Sequence, residues 1–116
     1  MSESNKKSNV LESCVANSQN IASLVKYADD SVVSKTLLNK PVGTITLFAF
    51  DKGQGLSEHQ TPYDAVVQVI DGLGRVTIDG TDHDITTGEI IIMPANIPHS
   101  VSADQKFKMQ LTMIRQ

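Results

Sequence analysis

From Ser31 to the carboxyl end the chain is a succession of short runs rich in Val, Ile, Thr and Phe, cut at close intervals by turn-forming residues. Branched and aromatic side chains fit a pleated surface, and runs this short suit strands better than helices. The pattern predicts strands over 31–39, 43–50, 65–71, 74–79, 89–93 and 105–115, with shorter pieces at 56–60, 82–86 and 98–102. Asp71-Gly72-Leu73-Gly74 and Asp79-Gly80 carry the glycines that reversals with positive φ need, and Asp79-Gly80 reads as the turn of a hairpin. Alternation of strand with helix is absent after Ser31, which excludes a parallel α/β sheet. Many short strands at this spacing imply an all-β sandwich or barrel.

The part before Ser31 has another pattern. Residues 1–9 are polar and are expected to form a disordered tail. Over residues 10–30, Val10, Leu11, Cys14, Ile21, Leu24, Val25 and Ala28 recur near helical spacing, and Asn17 or Ser18 is placed to cap a short helix over 19–27. That helical segment is expected to pack against residues 31–116, the barrel domain.

The size and charge of the chain narrow its partners. With 116 residues, 40% of them hydrophobic, there is room for one domain with one core. A net charge of -3 with scattered lysines gives no basic stripe for phosphates, so nucleic acid is not an expected partner. No apolar run approaches the roughly 18 residues of a spanning helix, and the start MSESNKKSN lacks the apolar stretch of a signal peptide, so no membrane partner and a cytoplasmic location are expected. Cys14 is the single cysteine, without local groups to activate its thiol, and reads as a small apolar residue.

Alternation within the strands assigns faces. In the last strand Phe107, Met109, Leu111 and Met113 share one face and Lys108, Gln110 and Thr112 the other; Phe48 and Phe50 alternate in the same way. The methionine face can fill a core or give a pocket a flexible apolar wall.

Two histidines forty residues apart each sit in a frame of glycines and prolines. The first frame runs from Gly55 through His59, Gln60, Thr61 and Pro62 to Gly72, and the second from Gly88 through Pro94 and Pro98 to His99. Such residues fix the register of the strands around them and so the direction of a histidine held between them, which makes a shared site plausible. His83, between Asp82 and Asp84 after a turn, is expected to face solvent.

These stretches, GLSEHQTPYDAVVQVIDG at 55–72 and GEIIIMPANIPHSV at 88–101, joined by GRVTIDGTDHDITT, resemble the two motifs of a small single-domain cupin of the conserved-barrel type, in the RmlC-like superfamily. The resemblance spans roughly residues 31 to 114 and implies a double-stranded β-helix, or jelly-roll barrel. It sets His59 at the first histidine of the family's His-x-His pair, Thr61 at the second, Ala65 at its glutamate and His99 at the histidine of the second motif. Asn96 falls at the glycine of Pro-x-Gly, and Ala103 at the final asparagine.

Only two of the four ligand positions of the family therefore keep a side chain suited to a metal. A methyl group coordinates nothing, and a threonine hydroxyl is a poor neutral ligand. Catalytic metal sites commonly use three protein side chains, so a divalent ion (iron, manganese, zinc or nickel) on His59 and His99 calls for a third ligand, for which Asp64 is the nearest candidate. Gln68 is kept among the ligand-binding candidates, although alternation sets it opposite Ala65, because a bulge would turn it inward.

Three functions are open to such a chain. The first is a module that binds a small polar molecule, without a complete metal site, anchored by His59, Thr61 and His99 and walled by Met109 and Met113. Two imidazoles titrating near neutral pH suit a carboxylate or enolate, or general acid–base chemistry. The second is a metal-dependent oxygenase or isomerase of the kind the family includes, using His59, His99 and Asp64. The third is a structural barrel filled by its own side chains. A homodimer is expected, because the strand at 31–39 lacks an obvious partner within the chain and proteins of this kind commonly pair through their sheets.

Overall fold

A computed structural model of the chain describes residues 9–116, in which eight strands succeed one another: β1 (Val32–Lys40), β2 (Gly43–Phe50), β3 (Gly55–His59), β4 (Asp64–Ile78), β5 (Thr81–Thr86), β6 (Ile90–Met93), β7 (His99–Ser102) and β8 (Phe107–Ile114). Apart from Asn9, the expected disordered tail lies outside the described residues. Every pairing is antiparallel. One sheet runs β1-β2-β8-β4-β6 and the other β5-β4-β7-β3, so β4 belongs to both and the two curl into the barrel.

The shared strand departs from the expected pattern. The turn expected at Asp71-Gly72-Leu73-Gly74 is no reversal: β4 continues for 15 residues, with a break in register between Val69 and Asp71 and Gly72 at φ +85°. Residues 64–72 pair with β8, and residues 73–78 with β5. A bulge bends a strand and increases its twist, which lets one strand leave a sheet and enter the next. Gly74 is required two residues later because the ring of Phe107 packs against its backbone, leaving no room for a Cβ. The reversal at Asp79-Gly80 does form, joining β4 to β5.

Side chains from both sheets fill the space between them. Phe50, Val67, Val69, Val76, Phe107 and Met109 are fully buried, and the rings of Phe48, Phe50 and Phe107 stack in series at 5.8 and 4.8 Å. The alternation read in the last strand holds, since Phe107 and Met109 are buried in this core and Leu111 packs against it. Lys108, on the opposite face, is buried as well, beneath the amino-terminal segment.

That segment corrects the expected helix over 19–27. It contains two single 3-10 turns, Glu12–Cys14 and Ile21–Ser23, separated by Ala16 at φ 52°, and neither Asn17 nor Ser18 caps a helix. Asn17 instead donates its side-chain amide to the Ser13 carbonyl at 3.0 Å. The physical reason is reach. Val25 is buried with Leu47 and Ala49, Lys108 donates to the Ala22 carbonyl, and the Tyr27 hydroxyl donates to Asp71 at 2.6 Å. Anchors spread over the outer face of a sheet suit extended chain, which advances more than twice as far per residue as a helix.

The same segment covers the free edge of β1: Leu11 donates to the Leu37 carbonyl at 2.8 Å, and Asn39 to the Asn9 carbonyl at 2.9 Å. β1 thus has its partners within the chain, β2 on one side and residues 9–11 on the other. His83, expected to face solvent, is half-buried on the face of β5 that also carries the buried Ile85, opposite Val76. Among the described residues, no helix is long and apolar enough to cross a membrane.

Candidate functional site

His59 ends β3 and His99 begins β7, and the two are direct partners across that antiparallel pair. Both point inward because of one irregularity. Leu56 faces the interior opposite Val101, and strict alternation would turn a residue three places further on outward; the register shifts between Leu56 and His59, which returns His59 to the inner face. His99, two residues before Val101, needs no such device.

The rings meet edge to face, with centroids 4.4 Å apart and planes inclined at 72°. Their Nε2 atoms are 3.2 Å apart. Each Nδ1 lies against the carbonyl of the residue two places earlier, Ser57 for His59 at 2.8 Å and Ile97 for His99 at 3.2 Å. A carbonyl only accepts, so each Nδ1 carries hydrogen, and in two neutral rings both Nε2 atoms present lone pairs to one another. Lone pairs at that separation repel. The arrangement is stabilised by anything electron-poor placed between them: a proton, the acidic hydrogen of a ligand or a cation.

Burial differs between the two rings. His99 is only 5% exposed, whereas His59 is exposed and forms the outer side of the pair. Burial holds the His99 imidazole below its ordinary range, a charge on His59 lowers it further, and the bond to Ile97 acts weakly in the opposite sense. The inner ring is thus kept neutral near pH 7, with its Nε2 available as an acceptor.

Behind the rings lies a cavity of about 30 Å³. Thr61, Met109 and Met113, expected at the site, line it with the histidines. Thr61 contributes little free polarity, since its hydroxyl donates to the Tyr63 carbonyl at 3.1 Å and accepts from the Tyr63 N–H at 3.3 Å. Sequence reasoning missed Met93, Leu56 and Val101 as lining residues, whereas Leu111 lies on the face already read for Met109 and Met113. Met93 was legible in principle, being the inward residue before Pro94; Leu56 was hidden by the bulge.

Register explains the wall. Ala65 of β4 pairs with Met113 of β8 on one side and Met93 of β6 on the other, so the position that the resemblance assigns to a glutamate is a methyl group flanked by two thioethers.

Two candidates are not brought to the site. Asp64 is exposed, and its carboxylate accepts the Ala95 N–H at 2.8 Å, fixing the loop before His99 rather than approaching the rings. Gln68 lies on the outer face of β4 between Gln110 and Ile90, because the bulge that would turn it inward occurs after Val69, beyond it. Among the described residues no three His, Cys, Asp or Glu side chains gather where one ion could be held. The donor set does not fit the four-ligand divalent centre of the family: two imidazoles remain, without the third histidine and the balancing carboxylate.

Comparison with known proteins bears on the family and the fold. The family pattern of the cupin domain matches residues 46–115. A conserved protein of unknown function from Streptococcus pyogenes is 33% identical, with a TM-score of 0.88 over 97% of this chain and 98% of its own. A cupin 2 conserved barrel domain protein from Leptotrichia buccalis is 40% identical, with a TM-score of 0.78 over 80% of this chain and 45% of its own. A cupin superfamily protein from Desulfitobacterium hafniense, 22% identical, shares the fold at a TM-score of 0.84 over 97% of this chain and all of its own. No curated protein matches. The two histidine-bearing motifs, the barrel they close and the matched pattern over most of the strands agree: this chain belongs to the cupin family.

Proposed function

We propose that this cupin is a binding module that takes the acidic head group of a small polar molecule between His59 and His99. The observation that supports the reading is the 3.2 Å approach of two Nε2 atoms whose rings are both fixed, through Nδ1, on backbone carbonyls. A carboxylic acid or enol brings an acidic hydrogen to this pair; once the proton has passed to the imidazoles, the anion faces a positive partner. A cavity of about 30 Å³ accepts only a few atoms, about the volume of two waters. The rest of the ligand therefore lies towards the exposed His59 side, and ligand size is set outside the barrel rather than within it.

The divalent metalloenzyme reading has less support, because Asp64 is engaged with Ala95 and Ala65 offers a methyl group. We also propose a homodimer. Its support is the exposed edge strand β6, whose Ile90 and Ile92 are more than 60% exposed on the outer face. A cytoplasmic setting is proposed with it, since a chain with one cysteine has no internal disulfide for an oxidising compartment to maintain.

The test is nitrogen-15 NMR of the imidazoles in metal-free protein during titration with acetate, glycolate and malonate. Supporting behaviour is a saturable shift of the Nε2 resonances of both rings, lost in His59→Ala. If neither ring responds to any of the three acids, the head-group reading is wrong.

A further inference from the structure

We infer that the site has a second half on the facing sheet, which takes the far end of the ligand, and that the ligand is a straight-chain dicarboxylic acid carrying hydroxyl groups. Asn39, Thr44 and Thr46 bond its hydroxyls, and the Arg115 guanidinium bonds its second carboxylate. The inference rests on the reading of His59 and His99 as the anchor of the first acidic group, and extends it to the rest of the molecule.

Cross-strand register places these groups beside the cavity. Thr44 and Thr46 of β2 are the direct partners of Met113 and Leu111 of β8, so they share the inner face with two residues that line the histidine cavity. One strand further out, Thr36 pairs with Thr46 and Asn39 with Thr44. Strands β1 and β3 stand at the two ends of the strand order and do not pair with one another, which leaves the barrel open along that side. Thr36 and Asn39 are exposed on the β1 side of this opening, and His59 on the β3 side.

Two features define the ligand. Thr44 and Thr46 are half-buried, and neither hydroxyl bonds another described residue, so each keeps a donor and an acceptor for hydroxyls of a bound molecule. The second feature is a cation. Pairing continues one step past Ile114, where the Arg115 N–H donates to the Val42 carbonyl at 2.7 Å, and alternation therefore keeps Arg115 on the face of Met113. Its Nη1 donates to the Lys40 carbonyl at 2.7 Å, which holds the guanidinium at the end of β1, beside the position of Asn39. That bond uses one N–H of a planar fork whose geometry matches a carboxylate. The other arginine, Arg75, is occupied by Asp84 and Asp104. From β8 to β1 is two strand spacings, about 10 Å. A short monocarboxylate held by the histidines falls short of the guanidinium, whereas about six carbons, at roughly 1.2 Å per bond of extended chain, bring a second carboxylate to it past Thr44 and Thr46.

The experiment is calorimetric titration of the metal-free protein with glucarate, gluconate and adipate. Glucarate carries both carboxylates and the hydroxyls; gluconate lacks one carboxylate, and adipate lacks the hydroxyls. Glucarate is expected to bind about tenfold more tightly than gluconate and about fivefold more tightly than adipate, the effects of one charge-assisted contact and of one or two neutral hydrogen bonds. Arg115→Gln should bring the ratio of glucarate to gluconate affinity close to unity, and the isosteric Thr44→Val should do the same for glucarate against adipate. Ratios taken within one variant do not respond to a general loss of stability. The inference is overturned if glucarate binds no more tightly than gluconate and adipate, or if either ratio survives its substitution. Such a failure with an intact response of both imidazoles to acetate removes the second half of the site alone; failure of acetate as well removes the head-group reading.

Discussion

The backbone N–H of Asn96 donates to the carbonyl of Thr61 at 2.7 Å, joining the loop before His99 to the loop after His59. The bond places the two ring-bearing segments in fixed relation, and it depends on a left-handed backbone: Asn96 has φ 65° at the position where the family motif has glycine. Asparagine tolerates that conformation better than most residues, and β-branched residues tolerate it least.

Substitution at this position should therefore grade with conformation. Asn96→Gly is expected to leave stability within about 0.5 kcal/mol, and Asn96→Val to cost about 1–2 kcal/mol. Urea denaturation measures both, and equal losses would show that the left-handed backbone is not what selects the residue.

Stability should depend on pH through His99. Its imidazole sits below the ordinary value of about 6.5 when folded, so below that value the unfolded chain binds more protons than the folded one. The contribution of His99 is complete above the unfolded value and is lost as pH falls through the folded one. Thermal melts from pH 7.5 to 4.5 should show the decline, with a shallower slope in His59→Ala; part of the slope should persist there, because burial is the larger cause.

Gly74 and Phe107 should behave as one unit. The ring of Phe107 occupies the space of a Cβ at Gly74 and stacks on Phe50 at 4.8 Å. Gly74→Ala is expected to cost about 1–3 kcal/mol by overpacking. In a Phe107→Leu background the added cost should fall by half or more, and strict additivity in the double-mutant cycle would contradict the contact.

Tyr27 fastens the amino-terminal segment to the barrel. Its hydroxyl donates to Asp71, and the amine of Lys108 lies 4.8 Å from its ring centre. Burial and the Asp71 carboxylate raise the Tyr27 hydroxyl well above the ordinary phenol range, so the hydrogen needed for the bond is present at every working pH. Tyr27→Phe should cost about 1–2 kcal/mol and speed proteolysis before Ser31, with the barrel left intact. Unchanged cleavage rates would show that the hydroxyl does not hold the segment.

The proposed dimer predicts a mass near twice 12.6 kDa by light scattering, and its loss in Ile90→Lys/Ile92→Lys. A parent protein near one chain mass rejects the dimer. A dimer that survives the double change relocates the interface away from β6.

Much of this molecule is legible along the chain, because strand character is a local property. Thr46-Leu47-Phe48-Ala49-Phe50 and Phe107 to Met113 reveal their faces by alternation alone, and the cores contain Leu47, Ala49, Phe50, Phe107 and Met109 as alternation selects them. The amino-terminal segment is not legible in this way, because apolar residues at near-helical spacing also mark anchor points of extended chain, and only the distance between anchors separates the two. Gly72 is ambiguous for a related reason: a positive φ serves a bulge as well as a reversal, and the strand against which the chain next pairs determines which.

The sequence by itself determined the class of fold and singled out the two histidines of the candidate site, since turn glycines, prolines and branched strand residues act over a few neighbours. Tertiary structure decided how those residues and their neighbours are placed. A one-residue bulge before His59 turns its ring inward, cross-strand register sets Met93 and Met113 beside Ala65, and Asp64 and Gln68 are directed elsewhere. Register is a relation between strands distant along the chain, and a single-residue shift exchanges the faces of a strand without altering any local preference.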